Sequence, residues 1–216
     1  MKHVKIKVAL IGATGKAGRY LLQQLISEGY SIRVLIRNRE RFHTNHPAID
    51  KIIVGDVLQS GCIESLIEGC KAVISTLGLG LPPSDPTIFS RATSNIINAM
   101  EKAGIRRYIL ITGLNVDTPS DKKGPITKYA TEWMYKNYPK STDDKQLEYR
   151  LLLKSNLDWT LVRLPLIEET DATNEIKVSI SDCPGERISA KALAVFLADQ
   201  LNSTTYIKQS PFIANA

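Results

Sequence analysis

The sequence predicts an α/β chain, a Rossmann-type doubly wound parallel sheet with a small C-terminal substrate-side cap, and three observations carry that expectation. Short β-branched apolar runs alternate with amphipathic helical stretches along the chain. The first run, Ile6 to Ile11, breaks into three spaced glycines and then turns helical. The 216 residues, 43% hydrophobic and 23% charged, suffice for one domain with a sizeable core. No linker and no internal repeat interrupts them. The whole span 1–216 therefore reads as a single nucleotide-binding domain, with 114–142 and 165–190 as substrate-side segments.

The glycine stretch is Gly12-Ala13-Thr14-Gly15-Lys16-Ala17-Gly18. A strand, a glycine turn and a helix in succession form the context of a dinucleotide-binding fingerprint. Gly12 permits a tight turn, Gly15 lets the backbone approach a pyrophosphate, and Gly18 allows helix and strand to pack closely. The helix N-terminus then offers N–H groups and partial positive charge to phosphates. Thr14, Lys16 and Ala17 lie within the same cradle.

The first helix runs to about Glu28, with Gly29 as its stop. The second strand, Ser31 to Ile36, is followed by Arg37-Asn38-Arg39-Glu40-Arg41, with Arg33 adding to the local positive charge. An acidic residue is common at this strand end where NAD is bound. A guanidinium instead grips a ribose phosphate by charge-assisted, bidentate hydrogen bonds. NADP is therefore the expected cofactor, with Arg37 as first ligand and Arg41 as second.

The third strand, Lys51 to Val54, leads to Gly55-Asp56-Val57, where an acid and an apolar residue could hold adenine or Asp56 could simply form a turn. Ser60 is expected to cap a helix to about Glu68. A fourth strand, Ala72 to Leu77, precedes a loop with Gly78, Gly80 and three prolines, placed where open α/β sheets bind ligands. Asp85 and Pro86 start the next helix. The fifth strand, Arg107 to Thr112, ends at Gly113, beside the expected position of the reacting ring.

A polar loop then gives way to Ile126, Tyr129, Ala130, Trp133, Met134 and Tyr138. This helical stripe suits core or subunit contact better than a substrate wall. Ser141 to Asp144 is expected to cap the following helix, which carries Lys145, Glu148 and Tyr149 on one face. The sixth strand is Asp158 to Leu164, closed by Pro165. A short strand near Lys177 to Ile180, a helix from Ser189 to Leu201 and a terminal strand around Thr204 to Ile207 complete the cap.

Composition narrows the partners. The net charge of +6 favours anionic ligands, yet no basic recognition helix points to nucleic acid. No apolar stretch is long enough to cross a bilayer, so no membrane partner is expected. Met1 to Lys5 runs straight into the first strand, leaving no room for a signal peptide, and a cytoplasmic location follows as an expectation. Cys62, Cys70 and Cys183 lack metal-ligand spacing and read as free thiols. His43 and His46 lack a third ligand, so no metal is expected.

The glycine stretch, the arginines after the second strand, Gly55-Asp56-Val57-Leu58-Gln59 and Leu157 to Pro165 together resemble the atypical short-chain dehydrogenases. The likeness is to their NmrA-like, NAD(P)H-binding group, with the flavin and biliverdin reductase branch nearest. It covers nearly the whole chain. The resemblance implies that Arg37 and Arg41 hold the NADP phosphate, Asp56 and Val57 the adenine, and Leu77 and Gly78 the pyrophosphate side. Thr112 and Pro165 would flank the nicotinamide. Two polar active-site groups of that branch are replaced here by Gly113 and Leu166.

Ketone-reducing relatives use a Tyr-x-x-x-Lys pair, but none of the eight tyrosines here has lysine four residues on. A ketone that receives hydride becomes a basic alkoxide and needs a positioned acid, whereas a flavin or quinone spreads the new charge over a conjugated system. The expected activity is therefore NADPH-dependent hydride transfer to a planar small-molecule acceptor. Thr112 would orient the reactants and Lys145 would neutralise the developing anion. The alternative is an NADP(H) sensor that acts on a protein partner. A monomer or homodimer is compatible with either.

Overall fold

The computed structural model describes residues 6–79 and 85–215. Its main sheet has eight strands: β1 (Lys7–Ile11), β2 (Ser31–Ile36), β3 (Ile49–Val54), β4 (Ala72–Ser75), β5 (Arg107–Gly113), β6 (Asp158–Leu164), β8 (Ile176–Ser179) and β10 (Phe212–Asn215). Their order is β3-β2-β1-β4-β5-β6-β10-β8. All neighbours pair in parallel except β10 with β8. The order reverses between β1 and β4, so a crevice opens at the carboxyl ends of these strands, beside the glycine turn. A separate two-stranded sheet joins β7 (Leu166–Glu168) to β9 (Arg187–Ser189).

Two apolar cores lie on opposite faces of the sheet. Helices α1 (Lys16–Ser27) and α6 (Ala190–Asp199) cover one through Leu21, Leu22, Leu25, Leu193 and Leu197. On the other face, α2 (Ser60–Ile67), α3 (Ile88–Lys102) and α5 (Pro139–Lys154) bury Ile63, Leu66, Phe89, Ile96 and Leu152. The central strands are buried on both sides, which is why they read as continuous apolar runs. Between β5 and α5 lies α4 (Pro125–Asn137).

Several local expectations are corrected. Strand β4 ends at Ser75 rather than Leu77, and Thr76 just beyond it donates both its N–H and its hydroxyl to Ile11 O at the end of β1. Ser60 is the first residue of α2 rather than its cap, and Gln59 holds the cap position without a side-chain bond to a first-turn N–H. Helix α3 starts two residues after Pro86. The Asp85 carboxylate accepts from the Thr87 N–H at 2.8 Å, forming a turn ahead of the helix. Pro139 opens α5, so Ser141 and Thr142 are buried inside the helix rather than capping it.

The segment Thr204–Ile207 is a turn. The final strand lies later, at β10, where Phe212, Ile213 and Ala214 are fully buried. The C-terminal part thus contributes two strands to the main sheet as well as the separate β7–β9 pair. The loop expectations for Gly80, Pro82 and Pro83 fall on residues 80–84, outside the described residues. No helix among the described residues is long and apolar enough to cross a membrane.

Candidate dinucleotide and acceptor site

At the end of β1, Gly12 adopts φ +83°, and a Cβ there would lie 2.8 Å from the Thr76 carbonyl oxygen. Both backbone conformation and space thus require glycine. A Cβ on Gly18 would be driven into the Gly12 carbonyl, 2.6 Å from its carbon and 2.7 Å from Thr76 Oγ1. That contact sets the approach of α1 to the strand end. Gly15 N–H donates to Gly12 O at 2.9 Å and closes the turn. Gly15 then occupies the N-cap of α1 without any side-chain cap, leaving the first-turn N–H groups without a side-chain acceptor. Thr14, Gly15 and Lys16 are exposed, while Ala17 and Gly18 are buried. An uncapped helix start behind a cradle that only glycine can form fits a pyrophosphate.

Two further residues belong to this end. Thr76 Oγ1 donates to Ile11 O at 3.0 Å and pins the strand end behind the turn. Glu169, just beyond β7, pairs with Lys16 at 3.4 Å and with Arg19. Neither carries a sequence signal, since their partners lie 65 to 153 residues away along the chain.

At the end of β2, Arg37 and Arg41 are exposed on either side of a short turn capped by Asn38, which accepts from Glu40 N–H at 2.8 Å. Arg39 stacks over Phe42 instead. Arg33 does not join this group. It is 4% exposed and bonds Glu68 across the sheet, because its position in β2 points it away from the turn. Asp56 Oδ1 accepts from Leu58 N–H at 2.8 Å, so the carboxylate shapes a turn. The Val57 side chain is buried in the core, leaving the backbone as the part of that residue able to face a ligand. Leu77 packs partly against the same core, and Gly78 has open space around it.

The carboxyl end of β5 gathers the polar groups. Thr112 is 6% exposed and its Oγ1 has no partner among the described residues. Gly113 follows. A Cβ there would collide with Asn115 Oδ1 and lie 3.5 Å from Lys145 Nζ. The side chain missing at Gly113 is therefore the space that Asn115 and Lys145 share. Asn115 Nδ2 donates to Thr142 Oγ1 at 3.2 Å, and Lys145 Nζ sits 4.9 Å from the Phe89 ring centre. Burial lowers the Lys145 pKa, opposed by the nearby Glu148 charge.

Helix α5 is anchored to α3 from the same face. The Asp144 carboxylate accepts from Phe89 N–H at 2.9 Å and Ser90 N–H at 3.1 Å, capping α3 from another helix. Glu148 accepts from Thr93 Oγ1 at 2.7 Å, and burial pushes its pKa up to about 7. Its ordinary value is 4.5, so the folded state holds the extra proton between those values, and stability falls as pH rises through that window.

The segments 114–142 and 165–190 meet. Lys122 N–H donates to Ser181 O at 2.8 Å, and Arg163 bonds Asp121 and Ile180 O together. Pro165 stands half-buried just beyond β6, next to Leu164, which pairs with Gly113 on the neighbouring strand. The structure thus brings Thr112, Gly113, Lys145 and Pro165 to one end of the crevice, and Gly12, Gly15, Arg37 and Arg41 to the carboxyl ends of β1 and β2.

Comparison with known proteins agrees with this geometry. The NAD(P)H-binding family profile matches residues 12–204. An uncharacterised chloroplast protein of Arabidopsis thaliana is 24% identical over 82% of this chain and 64% of its own length. A photosystem II assembly factor, Ycf39 of Cyanophora paradoxa, is 27% identical over 74% of this chain and 45% of its own. The chain therefore spans under two thirds of those relatives.

Among solved structures, a Veillonella parvula short-chain dehydrogenase/reductase in complex with NADP superposes with a TM-score of 0.79 at 17% identity, covering 97% and 94% of the two chains. A Streptococcus pneumoniae protein provisionally described as an NADH-flavin reductase gives 0.75 at 19%, covering 98% and 100%. At such identities the likeness is one of fold.

Proposed function

Since the chain belongs to the NAD(P)H-binding family, we propose that it is an NADPH-dependent oxidoreductase that reduces a planar conjugated acceptor such as a flavin or quinone. The observation that carries this reading is the placement of Lys145 Nζ against Gly113, beside the buried, unpartnered Thr112 hydroxyl. The glycine turn would hold the pyrophosphate, Arg37 and Arg41 the ribose phosphate, the backbone at Asp56 and Val57 the adenine, and Leu77, Gly78 and Pro165 the path to the nicotinamide. When bound, NADPH supplies the hydride. Thr112 orients the reactants through its free hydroxyl, and the Lys145 ammonium neutralises negative charge developing on the acceptor. Water supplies the proton. The provisional flavin reductase description of the Streptococcus neighbour supports the acceptor class.

Anaerobic NADPH consumption with flavins, quinones and biliverdin tests the proposal, and a lack of stimulation by any of them sinks it. Lys145→Met should lower kcat by about 100-fold and leave NADPH affinity unchanged. Because burial holds the Lys145 pKa below its usual 10.5, the wild-type rate should decline on the alkaline side through that lowered pKa. The variant should lose this limb. An unchanged profile would remove Lys145 from the reaction. Arg37→Ala should weaken NADPH binding by roughly 10- to 100-fold and NADH binding far less. Equal losses would refute the phosphate assignment.

A second reading is an NADP(H) sensor acting on a protein. The missing Tyr-x-x-x-Lys pair favours it, as do the relatives named as assembly factors. Tight NADPH binding without turnover would select it.

A further inference from the structure

Helix α4 is amphipathic in the wrong sense for a helix packed on a core. Its buried residues are Thr127 and Thr131. Ile126, Tyr129 and Trp133 are 66%, 70% and 46% exposed. They stand at i, i+3 and i+7, with Lys136 at i+10, and so form one outward stripe. The spacing suits core or subunit contact, and within the chain the aromatic residues of the stripe are exposed rather than packed into the core. The Tyr138 ring beyond the helix end packs 5.8 Å from Trp133, centre to centre, which holds both rings in an exposed cluster.

The flanking charge is one-sided. Residues 122–140 carry five lysines against a single acid, Glu132. Lys122, Lys128, Lys136 and Lys140 are exposed. Aromatic rings with polar edges, set among lysines whose stems can bury while their ammonium groups stay wet, match the boundary between lipid headgroups and acyl chains. A second copy would bring like-charged lysines face to face. We propose that the α4 ridge adsorbs to an anionic bilayer surface, with Tyr129 and Trp133 entering the interface and the lysines meeting the lipid charge. Adsorption needs no spanning segment, so the lack of one does not oppose it.

The chain has two tryptophans, and Trp159 is 2% exposed, so Trp133 is the reporter. The full chain is mixed with vesicles of phosphatidylcholine, with and without phosphatidylglycerol, and followed by co-sedimentation and tryptophan emission. Anionic vesicles should bind the protein and shift emission to the blue, with the shift surviving Trp159→Phe and vanishing in Trp133→Phe. Lys128→Glu with Lys136→Glu should lower vesicle affinity at least about tenfold, and Tyr129→Ser with Trp133→Ser should abolish binding. Each variant is checked for unchanged NADPH affinity, which shows that it folds. No binding at low salt overturns the proposal, as does equal binding to neutral vesicles. Equal affinity for polyglutamate, or a dimer lost in the serine variant without vesicle binding, overturns it in favour of a protein contact.

Discussion

Gly18→Ala is expected to abolish measurable NADPH binding and to lower stability by about 3 kcal/mol or more, at the upper end of overpacking costs. The added methyl group would meet backbone, the Gly12 carbonyl carbon at 2.6 Å, together with Thr76 Oγ1 at 2.7 Å. Backbone cannot rotate out of the way as a flexible side chain can. Relief therefore requires α1 to move off β1, which carries the first-turn N–H groups away from the crevice. Gly29→Ala is the contrasting control. Gly29 has φ +78° but nothing within 4 Å of an added Cβ, so its cost is conformational strain alone, about 1 kcal/mol. That variant should keep its affinity for NADPH. Thermal unfolding and cofactor titration of both proteins separate the two effects. Wild-type affinity in Gly18→Ala would refute the role given to the glycine turn.

What the sequence made legible is what depends on neighbours along the chain. The glycine turn could be read because strand, turn and helix are contiguous, and β2 was bounded correctly because a buried parallel strand is a nearly unbroken apolar run. Arg33 was misread for the opposite reason. Its partner Glu68 lies on another element, and only the folded sheet shows that this guanidinium is buried beside it. The Asp144 cap on α3 spans 55 residues and leaves no local trace. In α4 the helical period was visible but its direction was not. Periodicity defines a stripe, and whether that stripe faces core or solvent is decided by packing. At the acceptor end, Lys145 could be named as a candidate, but its juxtaposition with Gly113 depends on α5 packing across β5.

Asp121→Ala should destabilise the protein by about 3–5 kcal/mol, the usual cost of leaving a buried charge unpaired. Arg163 is fully buried in β6. Its guanidinium donates to Ser210 O at 2.9 Å, Val116 O at 3.1 Å, Ile180 O at 3.0 Å and Asp121 Oδ1 at 2.7 Å. It also stacks 3.5 Å from the Phe212 ring centre. Burial lowers the Arg163 pKa and Asp121 opposes that shift, so the aspartate is what makes the buried cation tolerable. Replacing both partners, Arg163→Met with Asp121→Leu, should recover only part of the loss, because it removes the unpaired charge but leaves the Ser210, Val116 and Ile180 carbonyls without their donor. The network also fixes function to fold. Through Arg163, the loop after β5 and the turn after β8 are held to β6, the strand just before Pro165. Any Asp121→Ala protein that still folds should therefore show a raised KM for the acceptor with NADPH affinity preserved, since the glycine turn and Arg37 lie on other strands. Urea unfolding and steady-state kinetics check the two halves separately. A loss below about 0.5 kcal/mol, the scale of an ordinary surface substitution, would show that the buried cation does not depend on Asp121.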